Sequence, residues 1–124
     1  MFRQLLKSKI HRAIVTESNR DYEGSITIDE TLLEAANIVP WEKVLVANID
    51  TGQRVETYAI PGPKNSGVVC MNGGAAYYAK KGETVIIMSF VLLSEEKAGD
   101  HRPQVIRVNA KNKITSTEAE KCVI

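Results

Sequence analysis

Short stretches rich in β-branched and other apolar residues recur along the whole chain, separated by residues typical of turns. They span residues 10–15, 25–28, 43–49, 54–60, 68–71 and 84–93. Turn residues interrupt the chain too often for a long amphipathic helix. The pattern predicts a mainly β fold, a compact β-barrel with short helical insertions.

Length and charge narrow the class of protein further. The 124 residues suffice for one domain with one core. Sixteen Lys and Arg balance fifteen Asp and Glu, which argues against a nucleic-acid binder or a membrane-surface protein. Cys70 and Cys122 form no Cys-x-x-Cys pair, so we expect no disulfide framework, no metal site and a reducing cytoplasm.

Local signals predict the remaining elements. Asp29 suits the N-cap of a helix over residues 29–36, and Asn37 suits a left-handed end. Residues 17–24 and 50–53 resemble turns, and residues 73–80 a helix of small residues. The stretch 84–93 is the longest and most apolar strand and is expected to be central. A last short strand ends at 107–108, and residues 110–124 are expected to form a loose tail.

The pair Gly24-Ser25 stands where a polar loop meets a predicted strand. An ordinary turn would contain the same two residues. A chemical role is also open, because a serine hydroxyl can attack the preceding carbonyl when the peptide is strained, and glycine leaves room for that attack. The resulting ester could eliminate and hydrolyse to an N-terminal pyruvoyl group, a built-in electrophile.

Several other polar residues could bind a small anion or move protons. Lys9 and Arg54 lie on predicted strands and could bind carboxylates. Tyr58 lies four residues after Arg54 and so shares its strand face. A tyrosine phenol carries a proton at neutral pH and can serve as a proton donor. His11, on the same face as Lys9, could form a triad with Ser25 and Asp29 only on paper.

The segment 72–76 joins a predicted strand to a predicted helix through small residues. Its backbone N–H groups could approach an anion, although tight packing explains the same composition. Cys70, just before it, is expected to be a small core residue.

Six motifs in this order resemble the pyruvoyl-dependent aspartate 1-decarboxylases, from residue 1 to about residue 109. They are KIHR at 9–12, YEGS at 22–25, TGQR at 51–54, TYAI at 57–60, NG at 72–73 with AA at 75–76, and GETVII at 82–87. The resemblance implies a double-psi β-barrel that assembles as a homotetramer with active sites between subunits. It also implies a single domain that cleaves itself between Gly24 and Ser25 into a β chain, 1–24, and an α chain, 25–124.

The same resemblance implies the chemistry. Ser25 becomes a covalent pyruvoyl group that binds substrate as a Schiff base, with neither a metal nor pyridoxal phosphate. L-Aspartate is decarboxylated to β-alanine and CO2 for pantothenate biosynthesis in the cytoplasm. Tyr58 is then the proton donor. The matching substrate-binding positions are Lys9, Arg54, Thr57, Asn72, Gly73, Gly74 and Ala75, with His11 and Tyr22 in support.

Two hypotheses refine that assignment. Arg54 is expected to bind the side-chain carboxylate of aspartate, because a tight grip on the departing α-carboxylate would stabilise the ground state. Asn72 is expected to stabilise negative charge on an oxygen during cleavage or turnover. Gly74 stands where the family often has alanine, and Tyr77 where it often has histidine, so these positions bear on fine specificity.

Two other functions stay open at this point. A non-catalytic β-barrel that binds a small ligand would keep Gly24-Ser25 intact. A serine hydrolase using Ser25 and His11 would keep a free hydroxyl. A requirement for a maturation protein is likewise open.

Overall fold

The computed structural model describes residues 1–119 and builds this part of the chain mainly from β-strands. The elements follow the chain in this order: β1 Phe2–Ile14, β2 Glu17–Asn19, β3 Ser25–Asp29, α1 Glu30–Ala36, β4 Lys43–Asn48, β5 Arg54–Gly62, β6 Val69–Asn72, a 3₁₀ helix Gly73–Tyr77, β7 Thr84–Ser94, α2 Glu95–Ala98, β8 Gln104–Val108 and β9 Ile114–Ala119. The mainly β fold with short helices is therefore confirmed.

The strands form one sheet in the order β2-β6-β3-β5-β4-β7-β1-β8-β9. Neighbours are antiparallel except for the parallel pairs β1–β8, β2–β6 and β3–β5. In a flat sheet, β1 and β2 would lie six strand spacings apart, or about 29 Å. The chain passes from one to the other between Ile14 and Glu17, a reach of roughly 10 Å. The sheet must therefore curl back on itself, as a barrel does. The double-psi crossover remains a prediction.

The core lies inside this curled sheet. Its largest fully buried side chains come from β1, β3, β4, β6, β7, β8 and α1, and include Ile10, Ile26, Ile28, Leu32, Met71, Ile87 and Ile106. Burial of apolar side chains from strands far apart in sequence stabilises the curl, at about 25 cal/mol for each Å² removed from water.

Helix α1 begins and ends where the sequence predicts. The Asp29 carboxylate accepts a hydrogen bond from the Thr31 backbone N–H at 2.9 Å, and Asn37 adopts the left-handed conformation with φ 55°. Asp29 also accepts from the backbone N–H groups of Asn65 and Gly67, each at 2.9 Å. Burial alone would raise the pKa of Asp29, but these backbone hydrogen bonds outweigh it and lower the pKa.

The expectation of a loose tail from residue 110 is wrong for the part that the structure describes. Strand β9 pairs antiparallel with β8. The turn before it is held by Asn112, which is buried and exchanges hydrogen bonds with the backbone N–H and C=O of Ile14, each at 2.8 Å. Its amide also donates to the Gly67 carbonyl at 2.8 Å. Residues 120–124, including Cys122 and its expected lack of a disulfide, lie outside the described residues.

Three local predictions also need correction. The strand over residues 84–93 is expected to be the longest, but β1 has 13 residues and β7 has 11. Pairing with β7 keeps β1 extended through a partly polar stretch that composition alone does not mark as a strand. β7 does lie inside the sheet, between β4 and β1. Part of the expected turn at 17–24 is a strand, since residues 17–19 pair with β6. The expected helix over 73–80 is a 3₁₀ helix that ends at Tyr77.

No helix within residues 1–119 is long and apolar enough to cross a membrane.

Candidate active site

Ser25 and Asn72 meet at the ends of two paired strands. Ser25 begins β3, Asn72 ends β6, and the two residues are register partners. Both are buried, with 2% and 4% of their surface exposed. Asn72 Nδ2 donates hydrogen bonds to Ser25 Oγ at 2.8 Å and to Thr27 Oγ1 at 2.9 Å. One carboxamide thus fixes the Ser25 hydroxyl beside the Gly24–Ser25 peptide.

The turn after Asn72 packs against that peptide. Gly73 has φ +63°, a conformation that favours glycine. A Cβ on Gly73 would lie 2.7 Å from both Gly24 Cα and Gly24 N, and 2.8 Å from the Tyr22 carbonyl oxygen. A Cβ on Gly24 would meet nothing within 4 Å. The chain before Ser25 is therefore held closely on one side, while the Gly24 Cα keeps open space.

Two cavities flank the Gly24–Ser25 junction. The first has a volume of about 350 Å³ and is lined by Ser25, Asn72 and Tyr58 together with Glu17, Tyr22, Glu23, Thr27, Trp41, Ile60, Val68 and Cys70. The second has a volume of about 550 Å³ and is lined by Gly24 and Tyr58 together with Val55, Glu56, Thr57, Gly74, Ala75, Tyr77 and Tyr78. Tyr58 lines both cavities, one of which also contains Ser25 and the other Gly24.

The Tyr58 ring has an aromatic neighbour that sequence reasoning missed. Trp41 lies with its ring centroid 5.7 Å from that of Tyr58, at an interplanar angle of 30°. Trp41 has φ +75° and is 73% exposed, so the turn after Pro40 directs it over the cavity rather than into the core. Periodicity gives no signal for such a loop residue; a lone tryptophan beside a proline was the available hint.

Cys70 is buried, as expected, but its thiol has polar neighbours. Its Sγ is 3.0 Å from Asn72 Oδ1 and 3.1 Å from Glu17 Oε2. Burial, together with the hydrogen bond to Glu17 and the negative charge of that residue, raises the pKa of Cys70 to about 12. At neutral pH the thiol is therefore protonated and can donate its one proton to either of these oxygens.

The structure brings some of the expected site residues together and leaves others apart. Thr57, Gly74 and Ala75 line the same cavity as Tyr58. Arg54 is exposed at the start of β5, on the strand face that also carries Tyr58. Lys9 and His11 lie on β1, four positions from β3 in the strand order, and line neither cavity.

Asp29 and Ser25 of the Ser25–His11–Asp29 triad each have other hydrogen-bond partners. The Asp29 carboxylate accepts from backbone N–H groups at the start of α1 and in the 65–67 loop, and Ser25 Oγ accepts from Asn72. Within residues 1–119, no group of three or more His, Cys, Asp and Glu side chains could hold a metal ion.

Comparison with known proteins matches this arrangement to one family. The aspartate decarboxylase profile matches residues 1–115. The chain is 55% identical to the aspartate 1-decarboxylase of Pelotomaculum thermopropionicum, covering 92% of this chain and 86% of that protein. It is 54% identical to the aspartate 1-decarboxylase of Neisseria meningitidis and 48% identical to that of Bacillus subtilis, in each case over 92% of this chain and 90% of the relative. With this similarity along nearly its whole length, the chain belongs to the aspartate decarboxylase family.

Proposed function

We propose that the chain cleaves itself between Gly24 and Ser25 and then decarboxylates L-aspartate to β-alanine and CO2. The hydrogen bond from Asn72 Nδ2 to Ser25 Oγ, at 2.8 Å beside the open Gly24 Cα, is the observation that carries this proposal. The relatives named above are aspartate 1-decarboxylases, which supports the same substrate and an enzyme of the carboxy-lyase class.

The proposed cleavage begins with attack by Ser25 on the peptide bond that precedes it. Ser25 Oγ forms a bond to the Gly24 carbonyl carbon, the Gly24–Ser25 C–N bond breaks, and the serine proton passes to the departing amine. Removal of the Ser25 α-proton then expels the Gly24 carboxylate, and water converts the resulting enamine to a ketone with release of ammonia. Asn72 orients Oγ and offers an N–H to oxygen that becomes negative during these steps. The close packing of Gly73 on Gly24 limits movement of the reacting peptide.

The surroundings of residue 25 suit a pyruvoyl group. Self-cleavage would remove Ser25 Oγ with the Gly24 carboxylate, so the Asn72 Nδ2 group beside residue 25 would become available to donate to a carbonyl oxygen. The adjoining cavity of about 350 Å³ has room for a four-carbon amino acid. When formed, the group supplies an electrophilic carbonyl that withdraws electrons from the substrate during loss of CO2.

Tyr58 is the residue that we assign to proton donation. It lines both cavities and shares the first with Ser25, the residue to which a substrate would be joined. Contact with Trp41 restricts the ring. Gly74, Ala75 and Thr57 line the second cavity, where backbone N–H groups and the Thr57 hydroxyl could hold a substrate carboxylate.

A second copy of the chain completes the site in this proposal. Lys9 and His11 line neither cavity within one chain, whereas Trp41, Tyr22 and Tyr77 leave aromatic surface exposed around the cavities. Contact between copies would cover that surface and could bring Lys9 to the substrate. We therefore propose a homotetramer with sites between subunits. The free thiol of Cys70 is compatible with the cytoplasm as its compartment.

Incubation of the purified protein with L-aspartate tests the activity. We expect β-alanine and CO2 in equal amounts, and no product from Ser25→Ala, which lacks the attacking oxygen. A cleaved wild-type protein that releases no β-alanine would refute the substrate while leaving the cleavage intact. A chain that stays whole and binds aspartate unchanged would instead identify a non-catalytic binding module.

A further inference from the structure

The Cys70 thiol lies between a carboxylate and the carboxamide that contacts Ser25. Its Sγ is 3.1 Å from Glu17 Oε2 and 3.0 Å from Asn72 Oδ1. Only 4% of its surface is exposed, and it lines the same cavity as Ser25. The thiol is therefore a buried donor with two oxygen acceptors, one of which belongs to Asn72.

The orientation of the Asn72 carboxamide decides what Ser25 meets. The oxygen and nitrogen ends of a carboxamide have nearly the same shape but opposite hydrogen-bonding character. The hydroxyls of Ser25 and Thr27 could pair with either end, because a hydroxyl both donates and accepts. A protonated thiol favours the oxygen end. The Cys70 contact therefore selects the orientation in which Oδ1 faces Cys70 and Nδ2 faces Ser25.

The thiol is suited to donate rather than to react. Burial and the neighbouring Glu17 raise the pKa of Cys70 to about 12. The thiolate, which is the nucleophilic form, is therefore scarce at neutral pH. Cys70 therefore keeps its one proton, for which Asn72 Oδ1 and the Glu17 carboxylate are the two acceptors.

We propose that Cys70 is a positioning residue for self-cleavage, whose thiol donates to Asn72 Oδ1 and so keeps the Asn72 N–H directed at Ser25 Oγ. This inference rests on the proposed function, because it adds a residue to the same cleavage step. Cys70 neither gains nor loses a covalent bond in that step. Without its donor, the carboxamide can turn its oxygen toward Ser25, and the N–H that orients Oγ is withdrawn.

The test compares rates of self-cleavage among variants at position 70. Each full-length chain is made by cell-free translation, and its conversion into fragments 1–24 and 25–124 is followed by intact mass spectrometry. We expect Cys70→Ala, which has no donor, to slow cleavage roughly five- to tenfold, the range typical of one lost hydrogen bond. Cys70→Ser keeps a donor of similar size and should restore most of the rate. Cys70→Val also has no donor and repeats the test if Cys70→Ala does not fold.

A control variant separates positioning from packing. Val69 precedes Cys70 on β6 and is fully buried, so Val69→Ala removes core volume and leaves the hydrogen bonds of the Asn72 carboxamide in place. It should lower the melting temperature and leave the cleavage rate near that of the wild type. Equal rates in wild type and Cys70→Ala, or a slow Cys70→Ser, would overturn the proposal while self-cleavage stands. A wild-type chain that stays whole would overturn the proposed function and this inference with it.

Discussion

Replacement of Gly73 by alanine tests how the Gly24–Ser25 peptide is held. The added Cβ would lie 2.7 Å from Gly24 Cα and Gly24 N, whereas ordinary contacts begin at 3.4 Å, so the backbone at Gly24 must move by roughly 0.7 Å. The left-handed conformation of Gly73 costs alanine about 1–2 kcal/mol, and the crowding about 1–3 kcal/mol more. We expect the free energy of unfolding to fall by roughly 2–5 kcal/mol.

The same displacement should slow self-cleavage. Misplacement of reacting groups by about 1 Å can cost around 100-fold in rate, so we expect at least a roughly tenfold loss for Gly73→Ala. Denaturant unfolding of the chains and intact mass spectrometry over time measure the two effects. Gly74→Ala is the matched control, because its Cβ meets nothing within 4 Å and should affect neither quantity strongly. A Gly73→Ala chain that cleaves at the wild-type rate would refute the idea that this contact holds the scissile peptide.

Three further predictions concern the fold and the substrate. Asp29→Asn should lower the free energy of unfolding at neutral pH by about 1–3 kcal/mol, because three backbone N–H groups lose a charged acceptor. Since folding lowers the pKa of Asp29, its contribution to the free energy of unfolding is present above pH 3.8, the ordinary pKa, and disappears as the pH falls through the folded-state pKa. If stability falls as steeply at acid pH in Asp29→Asn as in the wild type, this reasoning is contradicted. Tyr58→Phe should self-cleave normally yet turn over aspartate about 10²–10⁴-fold more slowly, and full turnover would remove Tyr58 as the proton donor. Arg54→Lys should raise KM for aspartate more than it lowers kcat; a nearly unchanged KM with abolished turnover would show that Arg54 does not bind the retained carboxylate.

The elements that the sequence predicted well are those set by nearby residues. Asp29 and Asn37 delimit α1 through contacts within a few positions, and the structure confirms both. The Gly24–Ser25 pair could be singled out as a possible cleavage site for the same reason, because the two residues are adjacent in the sequence. Its partner, Asn72, lies 47 positions away, and only the pairing of β3 with β6 brings the two together.

Other features depend on burial that no single stretch of sequence reveals. Cys70 is expected to be a plain core residue, and its contact with Glu17, 53 positions away, arises because β6 pairs with β2. Polar composition predicted a loose tail, yet β9 pairs with β8 because the buried Asn112 fixes the preceding turn. In each case, long-range hydrogen bonds outweigh the local composition.

Intact mass spectrometry of the purified protein under denaturing conditions, with and without a carbonyl-reactive hydrazine, tests self-cleavage most directly. The arrangement of Asn72, Gly73 and Ser25 predicts fragments 1–24 and 25–124, of which only the larger gains the mass of a hydrazone. A single species with the mass of all 124 residues that takes up no hydrazine would contradict self-cleavage at Gly24–Ser25.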